Sequence, residues 1–302
     1  MNDPGPPVLW TWRLLKTRIL RVARPALAIC ALWLAWALAA LALRDREDGL
    51  FVALLLLGLC VVISAAMAGL VWYLTTRRLR ARDATELTHL IWLNQVMQPR
   101  RPLPPLGTWT ANPDLLVALW RLIRDKRPAR VLELGSGLST LVMAHALEQN
   151  QEGGEIVSLE SHPHFSALTR RQLAEHGLEG HVRVMDAPLQ KQSVAGRQGL
   201  WYALSPLEGL ADVELLFVDG PGNRERVMAL FLLHGSLAAK ADIVIDDVDR
   251  PESRRMLNLW LDAFPGQLYR SGDGAAKWAV FHWRRDAGPG AAAATDAPST
   301  RS

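Results

Sequence analysis

Two stretches of this chain carry no charge over lengths that leave few places to put them. Pro25–Leu43 and Leu50–Leu74 contain no Asp, Glu, Lys or Arg. A run of about 20 apolar residues spans the hydrocarbon of a bilayer when it is helical. In lipid the backbone must satisfy its own polar groups, so such runs fold as helices. Trp33, Trp36, Trp72 and Tyr73 supply rings suited to the lipid–water interface. A cleaved leader is the competing reading of the first run, because Ala-x-Ala triplets occur near Ala42. The long polar segment before it and the second run straight after it argue against cleavage. The expectation is a two-helix transmembrane hairpin, residues 25–43 and 50–74.

Charge orients that hairpin. Arg13, Lys16, Arg18, Arg21 and Arg24 precede the first run against a single acid, Asp3, and Arg77, Arg78, Arg80 and Arg82 follow the second. The loop Arg44–Gly49 has no basic excess. The positive-inside rule then puts both termini in the cytoplasm and the loop outside. The chain is read as an integral membrane protein of two spans, in the inner membrane of a bacterium, with residues 1–24 as a basic cytoplasmic N-terminus.

The net charge of +4 follows the same division. Residues 1–105 hold 13 Lys and Arg against 6 Asp and Glu, whereas residues 106–302 hold 21 against 24. The basic excess therefore flanks the spans, where anionic headgroups attract it. A slightly acidic remainder argues against a nucleic-acid partner. Cys30 and Cys60 both lie in the apolar runs and serve as small apolar filler rather than as a disulfide or metal pair.

Residues 75–105 read as a basic and amphipathic linker. Within it Asp83–Gln98 places Leu87, Leu90, Ile91, Leu93, Val96 and Met97 at roughly helical spacing, and Pro99–Pro105 breaks the chain. Beyond it the pattern alternates. Asn112-Pro113-Asp114 starts a helix that runs through Leu115–Arg124. Strand candidates follow at Arg130–Leu134, Glu155–Leu159, Val182–Met185, Glu214–Val218 and Asp242–Ile245, most of them separated by helical stretches. That order predicts a doubly wound, mostly parallel α/β sheet with ligands at the strands' carboxyl ends. A closing hairpin is expected from Gly266–Ser271 and Lys277–Trp283 around Gly272-Asp273-Gly274. Residues 286–302 are poor in anything to bury and read as a disordered tail.

The strongest chemical signal is Val131-Leu-Glu-Leu-Gly-Ser-Gly-Leu-Ser-Thr140. An apolar strand ends in Glu133, two glycines follow at Gly135 and Gly137, and a helix begins. Glycines let the backbone turn and approach a ligand, and the helix start offers free N–H groups. A dinucleotide turn would carry a third glycine where Thr140 stands. A carboxylate at Glu133 would also repel a pyrophosphate, whereas it suits a cationic ligand.

On these residues the segment from about Trp109 to Trp283 resembles the class I, Rossmann-like S-adenosylmethionine-dependent methyltransferases. The resemblance implies that Glu133, Gly135 and Gly137 hold the methionine end of S-adenosylmethionine. Glu160 matches the family's ribose-binding acid; its two oxygens can accept both hydroxyls of a diol. Asp186-Ala187 matches the segment beside adenine. Val218-Asp219-Gly220-Pro221-Gly222 and Ile245-Asp246-Asp247-Val248-Asp249-Arg250 resemble a bacterial methyltransferase-domain group with Asp-Gly-Pro and Asp-Asp-x-x-Arg segments. These strand ends are also distantly similar to those that hold the metal in catechol O-methyltransferase.

Asp219, Asp246 and Asp247 are thus the expected catalytic residues and the expected ligands of a Mg²⁺ ion. One departure stands against that. The lysine that serves as base in the catechol-type enzymes falls at Gly222, and Arg224 and Arg226 remain protonated. A carboxylate cluster acting as base or as substrate wall is the alternative. His162 and His164 read as surface residues, and Trp109 as either a lid or a core residue.

The sequence therefore reads as a membrane-anchored methyltransferase, residues 106–285, that O-methylates a small-molecule or lipid- or glycan-linked acceptor beside the bilayer. The rival readings are an aminopropyltransferase resembling spermidine synthase and a degenerate domain acting as a tethered binding module.

Overall fold

The computed structural model describes residues 29–42, 48–106, 110–151, 153–222, 224–265, 267–271 and 277–286. Trp109, the Gly272-Asp273-Gly274 turn, the N-terminus before Ile29 and the tail beyond Asp286 lie outside them. Two compact units divide the chain, Met1–Ala84 and Thr85–Ser302.

In the first unit, α1 spans Ile29–Ala42 and α2 begins at Gly49. The Trp36 indole donates to the Ala53 carbonyl (2.9 Å) and the Trp33 indole to the Ser64 hydroxyl (3.3 Å), so the described parts of the two helices touch. Among the described residues, Gly49–Arg77 alone is long and apolar enough to cross a membrane; α1 is shorter than that. The expected pair of spans is thus one qualifying helix and one shorter apolar helix.

The amphipathic segment is not a separate helix either. α2 runs unbroken from Gly49 to Met97, because Val71–Met97 contains neither Gly nor Pro to interrupt its ladder. Gln98, in the left-handed region at φ 47°, ends it before Pro99. The second compact unit accordingly begins at Thr85 rather than at residue 106. Leu93 and Met97 are buried in that unit's core. The Gln149 side chain ties down the end of α2 by donating to the carbonyls of Val96 (2.9 Å) and Met97 (3.1 Å).

The second unit continues through α3 (Pro113–Lys126), β1 (Arg130–Leu134), α4 (Leu138–Asn150), β2 (Glu155–Glu160), α5 (Pro163–His176) and β3 (Val182–Asp186). Then come β4 (Leu189–Val194), β5 (Arg197–Tyr202), β6 (Val213–Val218), α6 (Met228–Leu233), β7 (Leu237–Ile245), α7 (Pro251–Ala263), β8 (Leu268–Ser271) and β9 (Ala279–Arg284). Asn112, Pro113 and Asp114 open α3 as their chemistry predicts, and its Leu115, Leu119 and Ile123 form one buried stripe.

Seven strands form one sheet in the order β3-β2-β1-β6-β7-β9-β8. β3, β2, β1, β6 and β7 are parallel, while β9 and β8 close the edge antiparallel. The parallel strands β1, β2 and β6 are largely buried on both faces, and their side chains alternate between two cores. Leu132 and Leu134 join one core, while Val131 joins the other. The chain leaves β1 toward β2 on one side and returns to β6 on the other. That reversal opens a crevice beyond the carboxyl ends of β1 and β6, where ligands bind in open α/β sheets.

The short hairpin β4–β5 was not foreseen. Its strands are mostly polar and exposed, so they lack an apolar alternation, and Ala195-Gly196 turns it with both residues at positive φ. Its final residues, Trp201 and Tyr202, are buried in the core.

Candidate active site

The turn after β1 supplies the first wall of the crevice. Gly135 sits at φ +98°, a conformation that L side chains rarely adopt, and a Cβ there would lie 3.5 Å from the Gly220 nitrogen. Gly137 differs. Its backbone is extended at φ 164°, and a Cβ would meet nothing within 4 Å. Gly135 allows the turn, and Gly137 leaves space next to it.

Glu133 does not face that space. It is fully buried and accepts hydrogen bonds from Ser139 (2.6 Å) and Thr140 (2.5 Å) on α4 and from Ser158 (2.7 Å) on β2. These bonds form a clamp that joins β1, β2 and the start of α4. The reason is register: Glu133 alternates with Leu132 and Leu134, which puts its side chain on the α4 face of the sheet. Thr140, occupying the place of a third glycine, also accepts from the Gly137 N–H at 2.9 Å.

Burial pushes the Glu133 carboxyl up to about 7; the nearby Asp219 adds to the rise, and the three hydroxyl bonds work against it. The folded state therefore holds a proton that the unfolded chain releases between pH 4.5 and about 7. Stability from this group is complete below pH 4.5 and falls as pH rises toward 7. Glu133→Gln removes that slope. Urea titrations should show wild type losing roughly 3 kcal/mol relative to the variant over this interval. Parallel pH profiles for the two proteins would exclude the shift.

Glu160 ends β2 and is largely buried. One carboxylate oxygen accepts from the Ser136 N–H (3.1 Å) and hydroxyl (3.2 Å), and the other accepts from the His162 N–H (2.8 Å). The acid thus braces the glycine turn from the neighbouring strand. At the end of β3, Asp186 is half-exposed and paired with Arg170 (2.9 Å) and Ser166, which hold its carboxyl below the usual range, the Ser166 bond most of all. Ala187 is buried, and its N–H donates to the Glu160 carbonyl (2.8 Å). His162 starts α5, accepting from the His164 N–H.

The turn after β6 forms the opposite wall. The Gly220 N–H donates to the Leu134 carbonyl (2.6 Å), and Gly220 packs against the Tyr202 hydroxyl so closely that a Cβ would fall 2.0 Å from it. Burial raises the Tyr202 phenol well above its ordinary value, so it stays protonated.

Asp219, Asp246 and Asp247 come together as the strand order requires. One oxygen from each lies within 4.8 Å of the others. Asp247 takes φ 60°, with its N–H on the Asp246 carboxylate (2.7 Å). Burial pushes the Asp246 carboxyl up to about 7, reinforced by the charges of Asp219 and Asp247. Enclosure also raises Asp219, against the pull of Arg226.

Arg226, set aside in the sequence because it cannot act as a base, lies at the heart of this group. It is 5% exposed and reaches Asp219 (3.0 Å) and Asp247 (3.5 Å). It also donates to the carbonyls of Pro221 and Asp246, each at 3.3 Å. Arg250 pairs with Asp247 from outside (2.8 Å). Three acids gathered at adjacent strand ends call for counter-charge, and that need was the available sequence signal for Arg226. For Mg²⁺ the donors are of the right type, hard carboxylate oxygens. Asp219 and Asp247 already face the Arg226 guanidinium, however, so the arrangement fits an arginine better than an ion.

Comparison with known proteins agrees with this geometry. Residues 132–248 match the family described as "Methyltransferase domain". The chain is similar to the transmembrane O-methyltransferase of Propithecus coquereli, 31% identical over 169 residues, covering 53% of this chain and 58% of that protein. The human protein of the same name is 32% identical over 141 residues, covering 46% and 45%. The chain thus spans about half the length of the curated relatives it matches. Among solved structures, a methyltransferase from Podospora anserina aligns at 20% identity and TM-score 0.48 over 70% of this chain and 96% of that one. An O-methyltransferase from Bacillus cereus aligns at 20% and 0.45 over 65% and 90%. Residues 132–248 thus carry the match to a methyltransferase domain, and the chain is similar there to transmembrane O-methyltransferases.

Proposed function

We propose that the protein transfers a methyl group from S-adenosylmethionine to a hydroxyl oxygen of an acceptor at the cytoplasmic face of a bacterial inner membrane. The observation that carries this reading is the meeting of two turns in one crevice. The Gly135–Gly137 turn, braced by Glu160, stands opposite the Asp219, Asp246 and Asp247 cluster. The backbone of Gly135 and Gly137 would take the methionine end, with Glu133 holding the turn in shape. Glu160 would accept the ribose hydroxyls, and Asp186-Ala187 would line the adenine side.

The bound cofactor supplies a methyl carbon on a positive sulfur. The chain's task is then to orient the acceptor and take its proton. Asp219, the most exposed of the three acids, would face the acceptor. Mg²⁺ suits the three carboxylates by donor type, but the guanidinium of Arg226 already engages two of them, and no step is assigned to a metal. The names of the transmembrane relatives support membrane attachment, as does the apolar length of Gly49–Arg77. A small-molecule acceptor and a lipid- or glycan-linked one remain the two classes to separate.

Sealed vesicles test activity and topology together, because the charged cofactor does not cross lipid. Inside-out vesicles carrying the protein should move label from methyl-labelled S-adenosylmethionine into an extractable acceptor, and right-side-out vesicles should not. Partition of the label between organic and aqueous phases then tells the acceptor classes apart. Transfer by right-side-out vesicles alone would invert the topology. Cofactor binding with no transfer in either would leave a tethered binding module.

A further inference from the structure

We propose that Arg226 is the resident cation of the acceptor site, holding the Asp219 and Asp247 carboxylates aligned so that methyl transfer needs no divalent metal. This rests on the methyltransferase reading above and goes beyond it.

The geometry points to Arg226 by three features. First, it is buried, and a buried guanidinium is costly unless its donors are taken up and its charge is matched. Here its Nε and both terminal nitrogens reach Pro221, Asp246, Asp247 and Asp219. Second, its partners come from both turns, after β6 and after β7, so a single planar group fixes the spacing of the two strand ends. Third, one carboxylate oxygen each of Asp219 and Asp247 already faces its N–H groups. A divalent ion would have to displace a guanidinium bonded to both.

The chemical step balances without an ion. The acceptor's O–H proton passes to the Asp219 carboxylate, whose side chain remains 29% exposed. The oxygen's electron pair forms the new C–O bond, and the pair of the broken C–S bond stays on sulfur. Arg226 keeps its proton throughout. It is a positioning residue: its fork keeps the Asp219 carboxylate aimed.

The test uses the full chain in lipid nanodiscs, with Mn²⁺ as the probe of the cluster. Wild type should show no Mn²⁺ binding at the cluster by electron paramagnetic resonance up to millimolar concentration, and chelator should leave its transfer rate unchanged. Arg226→Ala should lose roughly 100-fold in transfer, the scale of removing one preorganised electrostatic contact. Its affinity for S-adenosylhomocysteine should stay within about threefold, because the cofactor turn is untouched. The freed carboxylates should then bind Mn²⁺, and millimolar Mg²⁺ should recover part of the rate. Arg226→Lys, which keeps the charge and loses the fork, should fall between the two.

Wild-type Mn²⁺ binding that disappears in Asp246→Asn would overturn the proposal, as would loss of the wild-type rate with chelator and its return with Mg²⁺. The wild-type arms decide the matter even if Arg226→Ala fails to fold. Failure of wild type to bind S-adenosylhomocysteine would instead defeat the methyltransferase reading, a separate outcome.

Discussion

Gly135→Val should abolish cofactor binding while leaving a folded sheet. Valine at φ +98° is a strained, β-branched residue in a conformation open to glycine, at a cost of about 1–3 kcal/mol. Its Cβ would stand 3.5 Å from the Gly220 nitrogen, and its methyl groups would press further into the opposite wall. The turn must shift, and with it the Ser136 N–H that Glu160 braces. Calorimetry with S-adenosylhomocysteine should show roughly micromolar affinity for wild type and at least a ~100-fold loss for the variant. Gly137→Ala is the informative companion, since its Cβ meets nothing within 4 Å of the protein itself. It should keep wild-type stability and still weaken binding, because only a ligand would feel the methyl group. Unchanged affinity in a folded Gly135→Val protein would remove this turn from the cofactor site.

The second large effect concerns where the catalytic unit begins. A fragment starting at Thr85 should fold stably, and one starting at Pro99 should be severely destabilised. The shorter fragment loses Leu93 and Met97, which are 0% and 2% exposed. It also loses Trp92, which meets Trp120 edge to face at 5.2 Å and lies under the Arg121 guanidinium at 4.7 Å. Burying each large aliphatic side chain contributes about 1.5–3 kcal/mol, so the two together come to roughly 3–6 kcal/mol. That is a large share of the ~5–15 kcal/mol by which a domain is stable. Urea unfolding of both fragments measures the difference, and matching midpoints would mean that the last turns of α2 add nothing to the fold.

The same boundary shows what the sequence could and could not disclose. Arg130–Leu134 is a strand in the sequence and in the structure, residue for residue, because a short apolar run ending in Glu and Gly leaves little choice. β7 begins at Leu237, well before the expected Asp242, because Leu237 pairs with Val213 of β6 and Lys240 with Arg284 of β9, and the weak strand formers between them are carried along. The Pro99–Pro105 break looked like a domain edge because prolines end elements. Burial of Leu93 and Met97 carries the compact unit past that break, and no local pattern shows that burial. The site divides in the same way. The acids at strand ends stand out in the sequence, but whether a carboxylate turns outward or inward depends on neighbours distant in the chain. Glu133 turned inward because Ser139, Thr140 and Ser158 converge on it. Arg226 was hidden because arginine is usually a surface residue, and its partners include an acid beyond another strand, Asp247.

Gly220 leaves a mark on how this domain can change over generations. It is pressed between the Tyr202 hydroxyl and the turn that contains Gly135, and the Cβ it lacks would overlap the phenol. Positions 202 and 220 are therefore one trait written in two places, and a lineage that enlarges the second must first shorten the first. The β4–β5 hairpin that delivers Tyr202 has exposed, polar strands free to drift in length and composition. Its last residue is not free, because it fills the seam between the two walls of the crevice. The outer hairpin can then change while the seam between the two turns is held still.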